Sequence, residues 1–295
     1  MDYFIGSTSV IDNVHFVGQP DRLGLAGGAG IYALCGARLW ANQVNLACGI
    51  GRDYREHFGE WYRQNELSTK YLVPIDDWTP VTDVFYQSEG VRTEVPKFGS
   101  EHYHQFEFKE EVFFQLAQRD CGIYVFRNTD PTFWRHYLTH DGMKAKVLWE
   151  IAADSCNPES LPEIKAIAEK ISVLSLNLSE AKQIFDLQDE AAIKQQLRAL
   201  NIPLVFLRLG KRGQIFLTSQ TEEFVPSIRS QSVVDVTGGG NSSSGATLVG
   251  YCEQRPLRQI GQMANLAAIM CLSQYGVPAR IDDFKLRINQ DLTLK

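Results

Sequence analysis

The stretch Asp235-Val236-Thr237-Gly238-Gly239-Gly240-Asn241-Ser242-Ser243-Ser244-Gly245-Ala246 joins a glycine-rich turn to the start of a helix. Three consecutive glycines open backbone conformations closed to other residues, and their N–H groups can converge on an anion at the positive end of the helix dipole. Behind the turn, Ala246, Leu248, Val249 and Cys252 repeat at near-helical spacing, and Pro256 closes the segment. The junction reads as a seat for a phosphate. The bland alternative is a flexible Gly/Ser loop.

Upstream of this turn, from about residue 120, apolar runs at 123–126, 147–151, 173–176 and 204–209 read as strands. Amphipathic stretches at 162–170, 179–186 and 190–200 lie between them, with Ser179 as a helix start. A β-α-β-α rhythm of this kind predicts a three-layer α/β domain with a mostly parallel central sheet. The first third differs: strand-like pieces at 3–5, 15–17, 44–48, 84–87 and 106–108 are separated by Gly/Pro turns and one helical pattern at 31–40.

With 295 residues, 44% of them hydrophobic, the chain can bury a large core, and it reads as a single domain over 1–295. A formal net charge of −6 without a Lys/Arg run argues against a nucleic-acid partner and favours a small-molecule substrate. The N-terminus lacks a basic region followed by a long apolar one, which predicts a cytoplasmic protein. The uncharged run 259–279 contains Gln262, Asn265, Ser273, Gln274 and Pro278, so it reads as a buried helix and no membrane span is expected. Six cysteines without C-x-x-C spacing read as reduced core thiols. His102/His104 and His136/His140 have metal-compatible spacing but no companion ligands, and read as structural or solvent-facing.

The glycine turn resembles the second signature of the PfkB family, the ribokinase-like carbohydrate and nucleoside kinases. That motif has Asp, two small residues, Gly-Ala-Gly-Asp, then Gly-Ala a few residues on. Other segments carry the resemblance along nearly the whole chain. Gly27-Gly28-Ala29-Gly30 before the 31–40 helix is similar to the N-terminal Gly-Gly signature, and Gly49-Ile50-Gly51-Arg52-Asp53 to a Gly-x-x-Gly-x-Asp segment. Asn177-Leu178-Ser179-Glu180 matches Asn-x-x-Glu, and Gly210 to Gly213 the Gly-x-x-Gly turn. The resemblance implies a ribokinase-like sandwich with a small β lid from insertions near 13–24 and 80–108. It also implies a kinase using ATP and Mg2+, with room for a monovalent cation, and a homodimer formed through lid edges.

The site residues follow from the same resemblance. Gly238, Gly239, Gly240 and Asn241 form the catalytic turn, with Asp235 the nearest carboxylate; Asp12 and Asp53 are more remote substitutes. Asp12, Gly27, Gly28 and Tyr32 face the acceptor, while Asn177, Glu180, Gly210, Gly213 and Asn265 face the nucleotide, Glu180 reaching the metal through water. Arg92, Phe106 and Phe108 are lid candidates for specificity.

The departures matter as much as the matches. Asn241 stands where the family has its catalytic aspartate, and an amide is no base near neutral pH. Losing general-base help removes about 10²–10⁴ in rate, yet a loose phosphoryl transition state still allows slow transfer by positioning. Tyr32 replaces a substrate-contacting Asn, Arg208 replaces a small hydroxyl residue, and Glu150-Ile151-Ala152 lacks an Asp-x-Asn-x-Arg pattern. Two readings stand: a phosphotransferase acting on a hydroxyl of a sugar, nucleoside or similar molecule, and a catalytically silent ligand-binding protein. A dinucleotide enzyme is a formal rival through Gly28-Ala29-Gly30-Ile31-Tyr32-Ala33, but 21–24 is a poor buried strand and no acidic residue ends a second strand about twenty residues further on.

Overall fold

Strands β1 (Asp2–Gly6), β2 (Val10–Phe16) and β3 (Arg22–Gly27) precede helix α1 (Ala29–Arg38), which is followed by β4 (Val44–Gly51), α2 (Tyr54–Gln64) and β5 (Leu72–Asp76). Next come β6 (Val81–Ser88), β7 (Val91–Pro96), α3 (Ser100–Gln105), α4 (Glu110–Ala117), β8 (Cys121–Arg127), α5 (Pro131–Thr139), β9 (Lys146–Ile151) and α6 (Leu161–Ala168). The chain continues through β10 (Val173–Asn177), α7 (Leu178–Phe185), α8 (Glu190–Ala199), β11 (Leu204–Arg208), β12 (Gly213–Leu217) and β13 (Glu222–Pro226). Helices α9 (Gly239–Cys252) and α10 (Leu257–Leu272) follow, and residues 281–286 are again helical. This computed structural model describes residues 1–88, 91–228 and 233–286.

The large sheet runs β13-β12-β11-β10-β9-β8-β1-β4-β5, parallel from β11 to β5, with β12 and β13 antiparallel. Strand alternation divides the core between its two faces. On β8, β9 and β11, Tyr124, Leu148, Leu204 and Phe206 pack with α1, α2, α9 and α10, whereas Ile123, Val147, Trp149 and Leu207 pack with α4 to α8. The three-layer α/β sandwich expected from the alternating pattern is the observed fold. Strands β8 to β11 appear where their apolar runs predict, whereas the antiparallel pair β12 and β13 was not read from the sequence.

The remaining strands form a separate sheet, β3-β2-β6-β7, standing off the large one as a lid. It takes in 10–27 and 81–96, so it begins earlier and ends sooner than insertions at 13–24 and 80–108 suggest. Asp12 consequently lies in lid strand β2. The expected strand at 106–108 is absent: Phe106 caps α3, and both phenylalanines are buried. A Cβ on Gly6 would strike the Phe108 ring and one on Gly49 would meet the Phe106 backbone, so the two phenylalanines pack against β1 and β4. The Arg92 side chain lies outside the described residues.

Helix α9 packs unusually close to α1. A Cβ on Gly36 would fall 1.9 Å from the Ser242 carbonyl oxygen, and one on Gly245 2.1 Å from that of Ala33. The serines are not a flexible linker: Ser242 and Ser244 are fully buried, and Ser243 and Ser244 donate to the Gly240 carbonyl at 2.7 and 3.0 Å. Among the described residues no helix is long and apolar enough to cross a membrane, and the uncharged late run falls largely in α10. All six cysteines are buried and unpaired.

Candidate active site

In open parallel sheets, ligands bind at the carboxyl ends of the strands, where helix N-termini gather. Phe126, Glu150, Asn177 and Arg208, at or next to the ends of β8 to β11, all line a cavity of about 530 Å³ between the large sheet and the lid. A second cavity of about 290 Å³ lies beyond the glycine turn, walled by Ile228, Val233, Val236, Ile269 and Leu272 and reached by Lys211. Among the described residues Arg208 is the one side chain lining both.

The larger cavity collects Asp12, Gly28, Tyr32, Asp235, Gly238 and Asn241. Gly27 supports the same wall, because a Cβ there would land on the Asp12 carboxylate. Gly210, Gly213, Gly239, Gly240 and Asn265 line the smaller cavity, where Asn265 Nδ2 donates to the Pro226 carbonyl at 2.9 Å. Asn177 and Glu180 border the larger cavity instead of the smaller one. They close the start of α7 as a capping box: Asn177 N donates to Glu180 Oε2 at 2.6 Å, and Glu180 N donates to Asn177 Oδ1 at 2.9 Å. The helix therefore starts at the asparagine cap and not at Ser179. Burial raises the Glu180 pKa above the usual carboxylate value, with the Arg208 charge and the Asn177 N–H opposing the rise.

Two features at the centre escaped sequence reasoning. Glu150 is 3% exposed, yet its carboxylate faces the cavity. Its Oε2 accepts from the Tyr124 hydroxyl at 2.8 Å, and its Oε1 accepts from Arg208 Nη1 at 2.6 Å and Asn241 Nδ2 at 3.3 Å. Arg208 reaches the same point from β11, with Nη2 3.6 Å from Glu180 Oε2. Burial disfavours its charge, but Glu150 and Glu180 together hold its pKa above the ordinary guanidinium value. The available signal was a lone charged residue next to last in each of two otherwise apolar runs, 147–151 and 204–209.

Asn241 sits in the first turn of α9, which opens at Gly238 with φ +75°, a left-handed conformation that glycine adopts freely. Its amide donates to Glu150 and to the Tyr124 hydroxyl, the latter at 3.3 Å, so it is held by hydrogen bonds and carries no charge. Asp235 is committed elsewhere: Oδ1 accepts from the Tyr86 hydroxyl, from Thr237 N at 2.9 Å and from Thr237 Oγ1 at 2.7 Å. It braces the turn and ties it to lid strand β6. Asp53 does not border the cavity; its Oδ1 accepts from Thr79 N and Oγ1 at 2.7 and 2.6 Å, fixing the entry to β6.

Among the described residues no cluster of three or more His, Cys, Asp or Glu side chains is gathered for a metal. A caged ion does not fit this donor set. A hydrated magnesium ion needs only one or two carboxylates from a protein, and Glu180 is a carboxylate at the cavity wall. His104 pairs with Glu107 at 3.0 Å, and His136 pairs with Glu110. Gly28 follows the exposed antiparallel strand β3, not a parallel strand, so the G-x-G-x-x-A match lacks the context of a dinucleotide fold.

The pattern that defines the pfkB family carbohydrate kinases matches residues 24–282, and the chain belongs to that family. Protein MAK32 of Saccharomyces cerevisiae is 30% identical over 158 residues, a match that covers 46% of this chain and 44% of MAK32, less than half of the relative's length. The adenosine kinase of Sinorhizobium meliloti superposes with a TM-score of 0.77 at 16% identity, covering 98% and 99% of the two chains. The ribokinase of Cryptococcus neoformans var. grubii, solved in complex with ADP, superposes with a TM-score of 0.76 at 18% identity, covering 97% and 99%. The fold is thus that of the ribokinase-like kinases.

Proposed function

We propose that this protein transfers the terminal phosphoryl group of ATP to a hydroxyl of a small neutral molecule such as a sugar or nucleoside, the whole chain acting as one kinase domain with an inserted lid. The observation that carries this reading is the meeting of two cavities at a glycine turn on the N-terminus of a 14-residue helix. The smaller cavity, with apolar walls, Asn265 and the turn at Gly210 and Gly213, suits a nucleotide whose phosphates extend toward Gly238 to Gly240. The larger suits the acceptor. Among the described residues Asp12, Glu94, Glu150, Glu180 and Asp235 line it against one cation, Arg208, which disfavours an anionic acceptor.

In this reading Asp12 and Tyr32 hold acceptor hydroxyls, Gly27 and Gly28 let the acceptor approach the backbone, and Asn241 orients the attacking hydroxyl. The glycine turn stabilises charge on the migrating group, a contribution that does not need a base at position 241. Magnesium arriving with ATP would be contacted by Glu180 through water and would neutralise the phosphate oxygens. A monovalent cation is tested by potassium dependence. The buried free thiols suit a reducing cytoplasm, and the lid edges β3 and β7 are open to pairing in a homodimer.

Acceptor-dependent ADP release across a panel of sugars and nucleosides tests the reading. A second reading, a silent binder, is favoured by Asn241 and by the ion pair across the turn. ATP binding without acceptor-dependent ADP release would establish that alternative, and failure to bind any nucleotide would sink both.

A further inference from the structure

Arg208 occupies an unusual position. A Cβ on Gly240 would lie 2.1 Å from its Nη1, so the guanidinium covers the N-terminus of α9, where a migrating phosphoryl group would be held. A cation there opposes the helix dipole, and two glutamates keep it in place. The balance is incomplete: Arg208 Nε is buried without a hydrogen-bond partner, although the side chain lines both cavities. A buried guanidinium with an unmet donor, directed along a helix N-terminus, can take a further anion.

We propose that the terminal phosphate of the nucleotide takes Arg208 away from Glu150, and that the released Glu150 carboxylate replaces the missing aspartate as acceptor of the hydroxyl proton. The inference rests on the phosphotransfer reading and names the base within it. Glu150 Oε1 lies 3.3 Å from Asn241 Nδ2, so it approaches the position of a base at 241. In the step, the acceptor oxygen forms a bond to the γ-phosphorus and the bond from that phosphorus to the β,γ-bridging oxygen breaks. The bonding pair leaves on ADP and the hydroxyl proton passes to Glu150. An uncharged residue at 241 is then a requirement, because an aspartate there would set two carboxylates together. Asn241, Arg208 and Glu150 form one compensated set. The groups facing Glu150 are Arg208 from β11, Tyr124 from β8 and Asn241 from α9, with Glu180 of α7 on the far side of Arg208.

The experiment is calorimetric titration of ATP and of ADP into the full chain and into Glu150→Gln, with thermal unfolding as a check on folding. Removing the competitor for Arg208 is expected to tighten ATP roughly three- to tenfold and leave ADP unchanged. An ATP/ADP preference equal in both proteins overturns the exchange. Turnover of Glu150→Gln is expected to fall about 10²–10⁴-fold and to lose the acid limb of its pH profile. Wild-type turnover and pH profile in that variant overturn the base role. Tyr124→Phe serves as the milder second variant: it removes a donor to Glu150, so the acid limb should move to higher pH with acceptor KM unchanged, and an unmoved limb counts against the proposal. If the wild-type chain transfers phosphate to no acceptor, phosphotransfer and the base role fall together, while the ATP/ADP preference still decides the exchange alone.

Discussion

Asn241 is the residue at which a simple repair would mislead. Restoring an aspartate would place its carboxylate near Glu150 Oε1, which the present amide nitrogen meets at 3.3 Å. Two carboxylates sharing a site raise at least one pKa, and a shift of one to two units corresponds to about 1–3 kcal/mol. Asn241→Asp is therefore expected to lower thermal stability at neutral pH. A raised folded-state pKa contributes stability below the unfolded value and loses it as pH rises, so the deficit against wild type should shrink in acid; an equal deficit at all pH values would count against the geometry. Glu180 gives a second case. Burial raises its pKa above 4.5, so its contribution to stability is greatest below about that pH and declines through the raised value. Glu180→Gln, which retains the capping side-chain type, should lose less stability than wild type between acid and neutral pH in chemical denaturation. The sequence showed which position departs from the family, but not that the Glu150 and Arg208 charges converge on it. That convergence depends on strand register, which residue order along one chain does not display.

At the scale of elements, the parallel strands β8 to β11 and the glycine-turn helix were legible because apolar period and turn chemistry agreed, whereas the antiparallel pair β12 and β13 was not read. The lid was less so. Residues 106–108 alternate as a strand would, yet tertiary packing puts both phenylalanines under the body, Phe108 against Gly6. Strand β2 was read only at its far end, since its start at Val10 is buried and carries no alternation. The lid reaches the glycine turn through a side chain whose importance the sequence did not suggest: Tyr86 of β6 donates to Asp235 and lies 3.1 Å from Thr237 Oγ1. A hydrogen bond to a charged group contributes about 1.5–3 kcal/mol. Tyr86→Phe should raise acceptor KM by roughly ten- to a hundredfold while leaving ATP affinity within about twofold, read from initial rates and from calorimetry. Equal losses for both ligands would mean that the tyrosine supports the fold generally and does not join lid to turn.

For the molecule as a whole, the proposed function assigns nucleotide and acceptor to separate cavities, and what stands between the two cavities is an arginine held by two glutamates at the head of α9. A sandwich of this kind places the carboxyl ends of β8 to β11 along one crevice, so residues far apart in sequence meet there by topology. The central claim is that this crevice moves a phosphoryl group from nucleotide to hydroxyl. Its most direct measurement is 31P NMR of the wild-type chain incubated with ATP, magnesium and a pooled panel of sugars and nucleosides. The account predicts a phosphomonoester resonance growing in step with ADP. ATP that stays intact, or that yields only inorganic phosphate, would contradict it.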